Sequence, residues 1–199
     1  MSDTVSIPRL ESSDLRADGR RRFLASTGGL LSGGAVLLLA GCGTMADSKS
    51  ATAATMENDV TILNTALGAE LEAIAAYQLG AESGLLQPAV LDLAVQFQGH
   101  HKEHADLLAA TVQQLGGTPA TAKSSYDFPS DRLTSQEDVL RFAASLEKGA
   151  VSAYLGAVPL FGDAQLAKAA ASILGDEAMH WAVLRQALGE NPVPAAFVA

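Results

Sequence analysis

Glu177 and His180 stand three residues apart in the run Gly175-Asp176-Glu177-Ala178-Met179-His180-Trp181, so a carboxylate and an imidazole share one helix face. Both are metal-ligand types, and together they suit divalent ions that accept oxygen and nitrogen donors. Upstream, His101-Lys102-Glu103-His104 uses the same spacing with two imidazoles. Each pair follows a helix that carries a Glu and, seven residues later, a Tyr: Glu70 with Tyr77, and Glu147 with Tyr154. From Glu70 to His104 is 34 residues and from Glu147 to His180 is 33, so the chain reads as one helix pair used twice.

The elements that must position these residues are helices. From Asn58 to about Glu82, Leu63, Leu67, Ile74 and Tyr77 form an apolar stripe with Glu70 inside it, and Gly80 and Gly84 mark the exit. A second helix over 88–115 opens on Pro88, closes at Gly116-Gly117, and carries Phe97, His101, His104 and Leu108 on one stripe. Ser135, with Asp138 three residues on, predicts the start of a third helix, which Pro159 ends and which holds Glu147 and Tyr154. Asp163 predicts the cap of a fourth helix, which carries Glu177 and His180 and ends at Gly189; residues 191–199 read as an extended tail.

These patterns predict an all-α fold, a four-helix bundle over 58–190. The connection from Gly117 to Ser135 contains Pro119 and Pro129 and shows no helical or strand period. Such length is uncommon inside a compact domain, but a bundle with a long crossover between helices 2 and 3 requires it.

All four stripes break at mid-height with groups that are costly to bury alone. Packed side by side, the helices bring Glu70, Glu147 and Glu177 into one volume with His101, His104 and His180. The mutual repulsion of the carboxylates is relieved most directly by cations among them. Tyr77 and Tyr154 lie near enough to form an outer layer, with core packing as their main role. His100 and Glu103 fall off the repeated positions and read as a solvated face, although His100 and His104 at i, i+4 could also chelate.

The N-terminus has a different character. Arg20-Arg21-Arg22-Phe23-Leu24, an apolar run from Ala25 to Ala40 and Leu39-Ala40-Gly41-Cys42 resemble a twin-arginine export signal that ends in a lipoprotein cleavage box. That resemblance implies a removed leader over 1–41, a lipidated Cys42 as membrane anchor and a protein of the periplasm or cell envelope. Cys42 is the single cysteine, so no internal disulfide can form. Residues 42–57 are small and polar and read as a flexible tether. A formal net charge of −9 argues against nucleic acid as a partner and favours cations.

The combined pattern over 58–189 resembles the ferritin-like superfamily, and within it the bacterial exported, often lipidated, ferritin-like domain proteins. That family builds a two-metal site from one Glu on each of two helices and a Glu-x-x-His pair on each of the other two. By resemblance Glu70 and Glu147 are the single glutamates, Glu177 with His180 is a complete pair, and His104 is the histidine of the other. His101 stands where a second bridging Glu is expected. A carboxylate can span two ions with its two oxygens, whereas a neutral imidazole offers one lone pair. The expected centre is therefore asymmetric, with the ion nearer His180 held more firmly.

The resemblance implies two divalent metal ions, iron first, with manganese or zinc also compatible. The function it implies is a non-haem oxidoreductase that acts with oxygen or peroxide. A non-catalytic metal carrier and a metal-free structural bundle use the same residues and remain open. The oligomeric state is also open, a dimer being one option.

Overall fold

The computed structural model describes residues 44–198. The leader expected over 1–41 and the lipidation expected at Cys42 lie outside the described residues. The chain forms four long helices: α1 (Thr44–Glu82), α2 (Pro88–Gln114), α3 (Gln136–Ala157) and α4 (Ala164–Ala187). Single 3-10 turns at Ser130–Arg132 and Val158–Leu160 precede and follow α3, and no strand occurs among the described residues. None of the described helices is long and apolar enough to cross a membrane.

Local chemistry explains the boundaries. Pro88 opens α2 at a position where its missing N–H has no helical partner. Ser135 Oγ accepts the Asp138 backbone N–H at 3.2 Å and donates to its carboxylate at 2.7 Å, so the two residues cap each other. Asp163 accepts from the N–H groups of Gln165 and Leu166 at the start of α4. Gly116 and Gly189 follow α2 and α4 at φ of 80° and 72°, a conformation most comfortable without a Cβ.

One boundary departs from expectation. Helix α1 begins at Thr44 rather than Asn58, so residues 44–57 are helical instead of forming a flexible tether. This stretch includes Ala46, Ala51, Ala53 and Ala54 and no Gly or Pro, so an established helix can propagate back through it. Tertiary packing nonetheless starts near the expected position: Asp59 is buried and accepts the Gly162 N–H at 2.8 Å.

Helix α1 packs along α2, α3 packs along α4, and α1 also meets α3. The core has two apolar clusters. One gathers Leu63, Leu67, Leu108, Val112 and Ile173; the other gathers Tyr77, Phe97, Leu140 and Leu184. Their order along the chain makes α2 and α3 run in the same direction, so the crossover must return the whole length of the bundle. It is fastened at both ends. Asn64 on α1 donates to the Thr118 carbonyl and accepts from the Ala120 N–H, while Phe128 stacks on Tyr126 and meets Phe142 on α3.

Candidate metal centre

Between the two apolar clusters lies a polar layer, because each helix changes character there. Glu70 falls between Leu67 and Tyr77, His101 and His104 between Phe97 and Leu108, Glu147 between Leu140 and Val151, and Glu177 and His180 between Ile173 and Leu184. All six expected ligands meet in this layer. Five are almost fully buried, and the His104 side chain is 14% exposed.

The six form two groups of four that share His101 and Glu177: Glu70, His101, His104 and Glu177 on one side, and His101, Glu147, Glu177 and His180 on the other. Within each group the nominated ligand atoms lie within 4.8 Å of one another. His104 Nδ1 is 3.1 Å from Glu177 Oε1 and 3.6 Å from Glu70 Oε2. His180 Nδ1 is 3.6 Å from Glu177 Oε2 and 3.5 Å from Glu147 Oε1. Glu177 therefore turns one oxygen toward each half. His101 also faces both, with Nδ1 2.8 Å from Glu70 and Nε2 3.3 Å from Glu147. A neutral ring has one lone pair and one N–H, so it can ligate in one half while it donates to the carboxylate of the other.

The tyrosines connect opposite helices. Tyr77 on α1 donates to Glu147 Oε1 on α3, and Tyr154 on α3 donates to Glu70 Oε1 on α1 at 2.6 Å. Both rings are buried, as core packing requires, and both hydroxyls also hold a carboxylate. Burial and the adjacent Glu147 push the Tyr77 pKa well above its ordinary value, and burial and Glu70 do the same for Tyr154, so both hydroxyls keep their protons.

Burial disfavours the charged form of each core imidazole, but the carboxylates outweigh it. Contacts with Glu147 and Glu70 hold the His101 pKa at about 10. His104 is raised to about 9 by Glu177 and Glu70, and His180 to about 9 by Glu147 and Glu177. Burial works in the opposite direction on Glu70 and Glu147, yet the facing imidazoles keep both below the usual carboxylate range.

This balance is incomplete in a way that fits cations. His104 Nδ1, His180 Nδ1 and both oxygens of Glu177 are buried without a hydrogen-bond partner. Such atoms are uncommon in a folded interior. Here all four belong to the shared layer; the Glu177 oxygens offer lone pairs to a metal ion directly, and the two Nδ1 atoms do so once an arriving ion displaces the ring proton.

Two residues outside the expected set complete the surroundings. Asp176 Oδ2 lies 3.4 Å from His104 Nε2 and 3.2 Å from His180 Nε2, so one carboxylate faces the outer nitrogens of both rings, whose Nδ1 atoms face inward. Asp176 is four residues before His180, and that spacing was its one signal in the sequence. His100 is not simply solvated: its Nδ1 lies 2.8 Å from His180 Nε2 and 3.2 Å from Asp176 Oδ2. Glu103 is exposed, as expected of a solvated face. On the other side of the layer, a cavity of about 690 Å³ lined mainly by α1 and α3 reaches Glu70, Tyr77, His101, Glu147 and Tyr154 between Ala and Gly walls.

Solved structures share this architecture. A conserved hypothetical protein of Mycobacterium tuberculosis aligns at 25% identity with a TM-score of 0.63, over 72% of this chain and 99% of that one. A structure from Bacillus anthracis, described as ferritin-like, diiron-carboxylate proteins, aligns at 20% identity with a TM-score of 0.59, over 67% of this chain and 97% of that one. The bacterioferritin of Desulfovibrio desulfuricans, described with its diiron site, aligns at 20% identity with a TM-score of 0.62, over 69% and 81%. No curated protein matches the chain. The model of the ferritin-like domain matches residues 58–190, and the chain belongs to that family.

Proposed function

We propose that the bundle holds two divalent metal ions, iron in first place, and acts as an oxidoreductase toward oxygen or peroxide. The observation that carries this reading is the set of four unpartnered buried atoms on His104, His180 and Glu177, all in one layer. The diiron descriptions of the B. anthracis and D. desulfuricans structures support iron as the metal.

Glu177 would serve both ions, Glu70 and His104 one, and Glu147 and His180 the other, with His101 assisting one of them. Bound iron would supply reversible one-electron chemistry toward a small oxidant. The chain's own residues supply the rest. Tyr154 and Tyr77 fix the two outer carboxylates, Asp176 orients the two histidines, and the apolar clusters above and below exclude bulk water. His101, neutral when it ligates, keeps its other N–H on the carboxylate of the opposite half and so holds a proton inside the layer. The cavity between α1 and α3 gives an uncharged oxidant a short path to Glu70 and Glu147.

The test is elemental analysis of purified protein, followed by oxygen and peroxide consumption beside a His180→Ala variant. Two iron equivalents, and turnover that the variant loses, are the expected results. Bound metal without turnover above the variant leaves a carrier, and absence of binding on reconstitution removes the metal reading. We also place the protein at the cell envelope, on the resemblance of residues 20–42 to a lipoprotein export signal. Loss of membrane association in a Cys42→Ser variant tests that placement.

A further inference from the structure

His100, Asp176 and the outer nitrogen of His180 form a cluster outside the paired groups of the core. Their ligand atoms lie within 4.8 Å of one another, and burial grades from rim to core: the side chains of His100, Asp176 and His180 are 34%, 23% and 1% exposed. The ion pairs of Asp176 among the described residues are all with imidazoles, so no Lys or Arg occupies its carboxylate. We propose that these three residues form a third, solvent-facing site for a divalent cation, which receives the ion before it enters the core centre. The hand-over rests on the di-metal reading above; the rim site itself does not.

Two imidazoles and a carboxylate, with water completing the shell, suit borderline divalent ions such as Fe(II), Co(II) or Zn(II). The acidic surface of a chain with net charge −9 concentrates such ions at its rim. The 2.8 Å between His100 Nδ1 and His180 Nε2 is a contact that an inserted ion replaces, and His100 has the exposure needed to move aside.

His180 joins the two sites. Its Nε2 faces the rim and its Nδ1 faces Glu147 and Glu177, at 3.5 Å and 3.6 Å. A neutral imidazole has one lone pair, so the ring serves the rim or the core at any moment, not both. At the rim, Nε2 binds the ion and Nδ1 carries the proton. When the ion moves inward, Nδ1 gives its proton to the facing Glu147 or Glu177 carboxylate and on to solvent and binds the ion, while the vacated Nε2 takes a proton from rim water and donates that N–H to Asp176 Oδ2. The rim site is consequently strongest while the neighbouring core position is empty, and it weakens to His100 and Asp176 once that position fills.

The experiment is an anaerobic Co(II) titration of the metal-stripped full chain, read by calorimetry and by the visible absorption of bound Co(II), with stopped-flow mixing for the loading rate. The wild type should fill the two core positions, the one nearer His180 first, and bind a third ion at least about 10-fold more weakly than the second. A His100→Ala variant should lose the third equivalent, keep the two core ones, and load them several-fold more slowly; circular dichroism confirms that it is folded. Two core ions with no third in the wild type, or an undiminished third in the variant, overturns the rim site and leaves the core reading standing. A third ion lost with no change in loading rate overturns the hand-over. No tight binding in the wild type overturns the core reading and the hand-over together, and the rim site survives that result only as a weak equivalent that His100→Ala abolishes.

Discussion

The hydroxyl of Tyr154 on α3 donates to Glu70 on α1 at 2.6 Å, and Tyr77 on α1 returns the same contact to Glu147 on α3. Each carboxylate is thus held by the helix opposite its own. Removing the Tyr154 hydroxyl with Tyr154→Phe leaves a buried carboxylate oxygen without its donor, which destabilises the fold by about 1–3 kcal/mol. Metal affinity should fall roughly 10-fold, since outer partners orient the ligands. Thermal melts and metal titration check both, and an unchanged affinity in Tyr154→Phe and Tyr77→Phe alike would show that the tyrosines serve packing alone.

Asp176 tests the histidine side of the layer. Asp176→Ala removes the carboxylate that faces the outer nitrogens of both His104 and His180, and should lower affinity for the two core ions by about 10- to 100-fold. The stoichiometry should remain two at high metal concentration. Equal affinity in wild type and variant would mean that packing by itself fixes both rings.

His101→Glu restores a second carboxylate in the middle of the layer and adds one negative charge. Occupancy of the weaker position should rise toward one, so that metal per chain approaches two under conditions where the wild type falls short. Elemental analysis after dialysis against a weak chelator reads this directly, and an unchanged ratio counts against the asymmetry.

Protons and metal ions contend for the same rings, which gives opposite pH dependences with and without metal. In the metal-free protein, His101, His104 and His180 have folded pKa values of about 10, 9 and 9 against an ordinary 6.5. Their stabilisation is therefore complete below pH 6.5 and lost as pH rises through 9 to 10. Glu70 and Glu147 are lowered, so their contribution is present above the ordinary 4.5 and lost as pH falls below it. Melts of chelator-treated protein should be highest between about pH 4.5 and 6.5. Metal affinity should instead climb from pH 6 to 9, because ligation requires neutral rings. A metal-free melting temperature that rises across pH 7 to 9 would contradict the charge assignment.

Much of this architecture was legible in the residues. Pro88, Ser135 and Asp163 act on backbone groups within a few positions of themselves, so three helix starts could be read locally. The convergence of Glu70, His101, His104, Glu147, Glu177 and His180 followed from stripe breaks at one height. The start of α1 was not legible, because small polar residues with interspersed alanine suit a tether and a propagating helix almost equally. His100 and Asp176 each precede a ligand by one residue, about 100° away around the helix. Whether that direction meets solvent or a neighbouring helix depends on how α2 and α4 are rotated, which helical period alone leaves open. The crossed Tyr–Glu contacts were hidden for a related reason: a spacing of seven places Tyr77 over Glu70 on one helix but does not specify the partner across the bundle.

The cavity beside Glu70 and Glu147 is walled by α1 and α3, whereas His100 and Asp176 lie on α2 and α4. With the rim site proposed above, the polar layer would have two doors of unlike character. The alanine and glycine of the first side suit small, uncharged molecules better than hydrated ions. Ions find carboxylate and imidazole on the other side, where a nonpolar molecule gains nothing. Under the proposed function, separate entrances would let the centre be charged with metal and supplied with oxidant without either flow obstructing the other.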